Sequence, residues 1–197
     1  TLGAFTLIVP LWLFFRKVAP QPLETSEEID LINLLYESYK ICQSGSPEPF
    51  SAFMKWGQII LKDFNEIDYA LANAKSLYEN LKDIKEIESW SLAADELSGY
   101  QKNYLEFMKS MSGIYTHFNE SLDKRNWAYA GLAYKLTTKK IIETENEIQY
   151  LACGFNALNA AEKFIFSELH KRKRIDFLWD ADEYYYCNTR HEAGNFL

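Results

Sequence analysis

The hydrophobic positions in the middle of the chain recur at the spacing of an α-helix. Five stripes of apolar and aromatic residues repeat every three or four positions, which predicts five amphipathic helices that each bury one face. The stripes cover residues 32–39, 50–64, 67–81, 97–122 and 126–142. The fourth is the longest, and a helix of that length would span roughly 40 Å.

Residues with short polar side chains predict where these helices begin. Thr25 and Glu28 have the spacing of a capping box, in which a hydroxyl and a carboxylate satisfy each other's backbone N–H groups. Asn65 and Asn126 precede two further stripes and are expected to cap them. Asn159 and Glu162 have the same pattern at the start of a later helix.

Near both ends of the chain, the pattern of hydrophobic and polar positions changes from that of α-helices to that of β-strands. Residues 5–9, 148–153 and 175–179 are short β-rich runs, and helical segments follow the first at 11–18 and the second after Asn159. The order predicts a predominantly helical α/β fold with a small parallel sheet formed by strands from both chain ends. Residues 1–24 and 145–197 would form the α/β subdomain, and 25–144 a large all-helical insertion.

Composition narrows the class of protein. Eight glycines and five prolines are too few for an all-β fold with many turns. A net charge of −7 counts against tight independent DNA binding, because phosphate contacts need a basic face, although contact inside a larger assembly stays open. Three widely spaced cysteines without a Cys-x-x-Cys pair predict reduced thiols in the cytoplasm.

The apolar residues 2–15 do not predict membrane attachment. Pro10 interrupts them, they lack a basic leading region and a cleavage site, and they are too short to cross a bilayer. We read them as a core strand followed by a helix.

Motifs of catalytic chemistry are missing from the sequence. No glycine is followed by lysine, and no Gly-x-Gly, His-Glu-x-x-His or Gly-x-Ser-x-Gly occurs, so no catalytic residue, cofactor or metal site is predicted. One oxygen-rich cluster has the ligand type of a Mg²⁺ or Ca²⁺ site, but without a matching ligand spacing we favour a solvated turn at a strand end. Its members are Asp180, Asp182, Glu183, His191 and Glu192.

Two features of the sequence are candidates for contact with nucleic acid. The basic run Lys171, Arg172, Lys173 and Arg174 is a phosphate-contact candidate, but we favour a helix C-terminus whose cations complement the helix dipole. The five tryptophans are read as core anchors, except that Trp56 lies off its apolar stripe and is a candidate for base stacking.

Three segments in order resemble AddB-like proteins, which combine a degenerate superfamily-one helicase region with a C-terminal PD-(D/E)XK nuclease. Residues 53–68 resemble the family's Trp-Gly … Leu-x-Asp-Phe-Asp/Asn-Glu-Ile-Asp signature. Residues 154–162 are similar to its Gly-Phe-Asn-x-Leu-Asn-x-x-Glu segment, and residues 179–194 to its Trp-Asp-x-Asp-x-Tyr-Tyr … His-Glu-Ala-Gly element. The likeness extends over nearly the whole chain, although the intervening helices match only in pattern.

The resemblance implies an inactivated helicase-like region of subdomains 1A and 1B. Strand 5–9 would be the second motor strand, and residues 154–159 would replace the acidic metal-binding motif, without a carboxylate pair. The nuclease domain and its cysteine cluster are absent. No glycine-rich loop precedes residue 5, and residues 20–23 are shorter than their family equivalent. A truncated chain or segments missing near residues 10–24 would explain both departures. The implied DNA or partner contacts are Trp56, Asp63, Asn65, Asp68, Asn156, Asn159, Trp179, Asp180, Asp182, Tyr184 and His191.

The sequence therefore leaves two principal hypotheses of function. The first is a non-catalytic scaffold of double-strand break repair that guides single- or double-stranded DNA and docks a partner helicase–nuclease subunit. The second is a helical protein–protein interaction module without nucleic-acid contact, which the net charge of −7 favours. No cofactor is predicted for either.

Overall fold

The chain is described by a computed structural model that covers residues 27–43, 46–81, 83, 99–143, 148–155, 158–178, 184 and 187, with backbone alone for 99–105. The described elements are α1 (Glu28–Cys42), α2 (Phe50–Tyr69), α3 (Gly99–Asp123), α4 (Ala130–Glu143), β1 (Tyr150–Cys153), α5 (Ala160–Lys171) and β2 (Ile175–Leu178). Residues 74–81 are also helical. The predicted mostly helical α/β fold with a small parallel sheet is confirmed.

The described residues form two compact units, one within 21–132 and one within 133–197. The three-part domain organisation depends on residues 1–24, which lie outside the described residues, and it stays a prediction. The same holds for the predicted strand 5–9 and helix 11–18. In the described part of the chain, none of the helices has the length and apolar character needed to cross a bilayer.

The helical unit is held together by an aromatic core. Helix α1 packs against α2 and α3, and the side chains of Phe53, Phe64 and Phe118 are completely buried between the helices. The rings of Phe64 and Tyr115 meet edge to face with centroids 5.0 Å apart. Aromatic pairs of this geometry contribute about 0.5–1.5 kcal/mol each beyond the area they bury. The high aromatic content of the sequence therefore stabilises the contacts between helices.

The predicted helix caps are wrong at three positions. Helix α1 begins at Glu28 with Glu27 as its N-cap, without a side-chain capping bond, so the predicted cap at Thr25 is displaced by two residues. Acidic side chains in its first turn complement the helix dipole instead. Helix α2 continues through Asn65, and the segment after it begins at Asn73, whose side chain accepts a hydrogen bond from the N–H of Ser76 at 3.0 Å.

Asn126 ends a helix where the sequence predicts that it begins one. Its φ of 54° is left-handed, its N–H bonds to the carbonyl of Asp123, and the N–H of Trp127 bonds to the carbonyl of Leu122. These two bonds form a Schellman motif at the end of α3. Asparagine suits both a helix N-cap and a left-handed C-terminal position, which is why the local sequence misassigns it.

The C-terminal unit is built around a two-stranded parallel sheet. Strands β1 and β2 pair in register from Tyr150 opposite Ile175 to Cys153 opposite Leu178, and α5 connects them, as the sequence predicts. One face of the sheet is covered by α5, through contact between the rings of Phe166 and Phe177 at 5.7 Å. Leu151, Cys153 and Leu178 are exposed, and the alternation of side chains places them on the opposite face.

Candidate functional site

Asp68 is a completely buried carboxylate at the end of the motif helix α2. The hydroxyl of Tyr115 in α3 donates a hydrogen bond to its Oδ1, and the hydroxyl of Tyr129 donates one to its Oδ2. Hydrogen bonds to a charged acceptor are stronger than those between neutral groups. Asp68 thereby joins α2 to α3 and to the segment that precedes α4, and its side chain is not presented to a DNA or partner surface.

The environment of Asp68 changes the acidity of the nearby tyrosines. The pKa of Tyr129 is raised well above its ordinary value, chiefly by burial and next by the adjacent Asp68 charge. The pKa of Tyr78 is also raised, mainly by burial and then by the charges of Asp63, Tyr115 and Asp68. A phenolate beside a buried carboxylate would place two like charges in a medium of low dielectric constant. Tyr78 and Tyr129 therefore stay protonated at neutral pH.

Asn65 caps a helix that is distant in sequence. Its Oδ1 accepts a hydrogen bond from the backbone N–H of Gly131, the second residue of α4, at 2.7 Å. Gly131 lies so close to α2 that a Cβ would stand 2.3 Å from the carbonyl oxygen of Asn65. Asn65 thus supplies a capping acceptor across the helix interface, and glycine at 131 permits the close approach.

Trp56 belongs to a cluster of aromatic rings on the other half of α2. Its half-buried indole meets Phe53 at 4.4 Å, Phe107 at 5.1 Å and Tyr39 at 5.2 Å between ring centroids. Its Nε1 donates a hydrogen bond to the carboxylate of Glu48 at 3.3 Å. These contacts join α1, α2 and α3. Trp56, which the sequence makes a candidate for base stacking, therefore contributes to the packing of the helical unit.

The glycine after Trp56 is explained by the same cluster. A Cβ on Gly57 would lie 2.6 Å from the ring of Phe53, which is completely buried. The Trp-Gly pair of the motif is therefore a packing feature in this chain. The sequence signal for it is a glycine within a helical stripe, since a helix interior otherwise disfavours glycine by about 1 kcal/mol.

The C-terminal motif positions that the structure describes are also engaged in local structure. Asn159 and Glu162 form the predicted capping box: the Asn159 side chain accepts from the Glu162 N–H at 2.8 Å, and the Glu162 carboxylate accepts from the Asn159 N–H at 2.9 Å. Tyr184 is helical and 70% exposed. Asn156, Trp179, Asp180, Asp182 and His191 lie outside the described residues.

The predicted basic run occupies the end of α5 and the turn after it. Lys171 forms an ion pair with Glu168 at 2.6 Å, and Arg172 donates to the carbonyl of Ile142 in α4 at 2.8 Å. Lys173 has a left-handed φ of 55° and completes a Schellman motif with Arg174, whose N–H bonds to the carbonyl of Leu169. The basic residues therefore lie at a helix C-terminus, the arrangement favoured from the sequence, and they also reach α4.

A serine and a histidine lie close together in the helical unit, but they do not form an accessible nucleophile. Ser38 lies 3.1 Å from His117 Nδ1, but it is completely buried and its hydroxyl donates to the carbonyl of Leu34. Within the described ranges, no group of three or more His, Cys, Asp and Glu side chains could hold a metal ion. Asp63, a motif position, is exposed on α2. The polar groups described above, Asp68 and Asn65, hold helices together.

Raised tyrosine pKa values predict a loss of stability at alkaline pH. Below about pH 10, Tyr78 and Tyr129 are protonated in both the folded and the unfolded chain, so their contribution to stability is constant. Above that pH the unfolded chain ionises first, and each tyrosine lowers the free energy of unfolding by about 1.4 kcal/mol per pH unit.

Urea unfolding between about pH 8 and about pH 11 measures this slope. In Tyr78→Phe, we expect the free energy of unfolding to fall less steeply with pH above pH 10, by about 1.4 kcal/mol per pH unit. Below about pH 10, the difference in stability between the variant and the wild type should not depend on pH. An unchanged alkaline slope in Tyr78→Phe would contradict the assignment of Tyr78 as one of the titrating groups.

Comparison of the chain with protein-family models, with curated proteins and with solved structures finds no match in any of the three.

Proposed function

We propose that the chain is the non-catalytic, helicase-like scaffold of an AddB-type helicase–nuclease subunit that acts in double-strand break repair in the cytoplasm. It would guide DNA and dock a partner helicase–nuclease subunit. The observation that most supports this proposal is the role of the motif residues in the fold. The side chains of Asn65, Asp68 and Asn159 all form hydrogen bonds at helix caps or helix junctions. A motif whose side chains fix the architecture fits a scaffold better than a catalyst.

The distribution of charge supports different roles for the two units. Residues 21–132 contain 18 Asp and Glu against 10 Lys and Arg, whereas residues 133–197 contain 10 against 9. An acidic surface repels phosphates, so the C-terminal unit is the better candidate for DNA contact. The acidic helical unit is suited to a partner with a basic face.

A DNA-guiding scaffold should bind single-stranded DNA weakly and with strong salt dependence. We expect a fluorescent oligothymidylate to bind at about 50 mM salt and to lose most of its affinity at about 200 mM, because binding releases counterions from the phosphates. Fluorescence anisotropy of the purified chain measures both values. Absence of binding at low salt would contradict the proposal for DNA, and a tight Mg²⁺-dependent ATP site made by these residues would contradict an inactivated motor.

A second candidate function is a helical interaction module that binds protein alone. The acidic excess of residues 21–132 favours it, because the unit that contains α1, α2 and α3 is also the one less suited to phosphate. The salt experiment separates the two candidates, since a protein-only module would show no affinity for the oligonucleotide at either salt concentration.

A further inference from the structure

Lys139 in helix α4 adds positive charge beside the basic run of residues 171–174. The guanidinium of Arg172 donates to the carbonyl of Ile142 at 2.8 Å, which places the last turn of α4 beside the turn that follows α5. Lys139 lies one turn before Ile142 and is exposed on the same helix face. Two segments separated by 30 residues therefore contribute cations to one part of the C-terminal unit.

We propose that Lys139 and Lys173, here named the basic surface, bind the phosphate backbone of single-stranded DNA. The proposal rests on the proposed function and adds Lys139, which the family motifs do not include. Lys139 and Lys173 are exposed and make no ion pair within the described part of the chain. The bond from Arg172 to the carbonyl of Ile142 joins the two segments that carry these lysines.

Carbonyls at the C-terminal ends of α4 and α5 accept hydrogen bonds from described residues of the same unit. The last carbonyls of α5 accept the Schellman bonds from Lys173 and Arg174, and a carbonyl in the last turn of α4 accepts from Arg172. Unsatisfied carbonyls at this position would repel a phosphate. Pairing these carbonyls reduces their repulsion of a phosphate beside the exposed lysines.

Acidic side chains in the described part of this unit reduce the positive charge of the surface. Glu168 forms the ion pair with Lys171, so these two charges balance, which is why Lys171 is not part of the basic surface. Glu143 follows Ile142 on α4, and Asp176 lies on β2 with its carboxylate 3.5 Å from the Gln149 amide nitrogen. A surface of this modest charge fits weak, salt-sensitive contact with a nucleic acid backbone inside a larger assembly.

The test compares charge removal on the basic surface with charge removal elsewhere. The double variant Lys139→Gln/Lys173→Gln and the control Lys55→Gln/Lys62→Gln each remove two exposed lysines, the latter from α2 in the acidic unit. Anisotropy with an oligothymidylate of about 16 nucleotides gives the slope of log K against log salt. Circular dichroism checks that both variants fold.

We expect the slope of the first double variant to be shallower than wild type by about 1.4, since each single-strand phosphate contact contributes about 0.7. The control should keep the wild-type slope, and Lys171→Gln should change it less than either lysine of the basic surface. Equal slopes for the two double variants, on a wild type that binds, would overturn the basic surface and leave the proposed function standing. A wild type without salt-dependent binding would overturn both.

A competition experiment tests whether the basic surface prefers DNA to an acidic polypeptide. Polyglutamate is added to the preformed complex at the same concentration of negative charge as unlabelled oligothymidylate. Stronger displacement by the oligonucleotide supports phosphate recognition. Equal displacement would overturn the proposal, because the surface would then take any acidic chain.

Discussion

Replacing Asp68 by alanine is expected to lower the free energy of unfolding by about 3–5 kcal/mol. The substitution leaves the buried hydroxyls of Tyr115 and Tyr129 without the carboxylate to which they donate. An unsatisfied buried polar group costs about 1–3 kcal/mol, and two are created at once. Chemical denaturation followed by circular dichroism measures the loss.

Asp63→Ala is the matched control, because it removes the same side chain from an exposed position of the same helix. Its effect should stay within about 0.5 kcal/mol. A double-mutant cycle with Tyr129→Phe tests the mechanism, since the tyrosine change should cost less once Asp68 is gone. Equal losses for Asp68→Ala and Asp63→Ala would show that the buried carboxylate does not join the helices.

The Asp68 prediction also bears on function. Asp63 and Asp68 belong to the same family-like signature, yet one is exposed and the other completely buried. If the signature serves DNA or partner contact directly, Asp63→Ala should weaken binding with little change in stability. If it serves the fold, Asp68→Ala should reduce binding only in proportion to the unfolded fraction. Measuring both properties in both variants assigns the role of each residue.

The spacing of hydrophobic residues predicts the helices of this chain well, because the buried face of a helix is set by residues that lie close together in the sequence. Ile32, Leu35 and Tyr39 are buried as their stripe predicts, and β1 and β2 lie within the predicted strand segments. The capping box of Asn159 and Glu162 was also predictable, since both partners lie within one helical turn.

The long-range polar contacts could not be predicted in the same way. Asn65 has the residue type of a helix cap, but the helix that it caps begins 65 residues later, at Ala130. Asp68 lies where the sequence predicts the start of a helix after Asn65, and its partners Tyr115 and Tyr129 follow 47 and 61 residues further on. Sequence spacing carries no record of such pairs, because folding alone brings them together.

The second large effect is expected at Gly131, where alanine should lower the free energy of unfolding by about 2–3 kcal/mol. Alanine normally stabilises a helix relative to glycine by about 1 kcal/mol, so the expected sign is opposite to that of helix propensity. The added methyl group would meet the carbonyl oxygen of Asn65 at 2.3 Å and its Cα at 3.1 Å. These are backbone atoms of α2, so no side-chain rotation relieves the clash, and the start of α4 must move away.

Gly113→Ala supplies the control, because it makes the same change within α3 at an exposed position. Its nearest neighbour would be the Cys42 sulfur at 3.7 Å, an ordinary van der Waals contact. This variant should gain about 0.5–1 kcal/mol from helix propensity. The same substitution is thus expected to stabilise one helix and to destabilise another. If Gly131→Ala were also stabilising, α2 and α4 would not approach as closely as the Asn65 cap requires, and the assignment of this motif to the architecture of the scaffold would lose its main support.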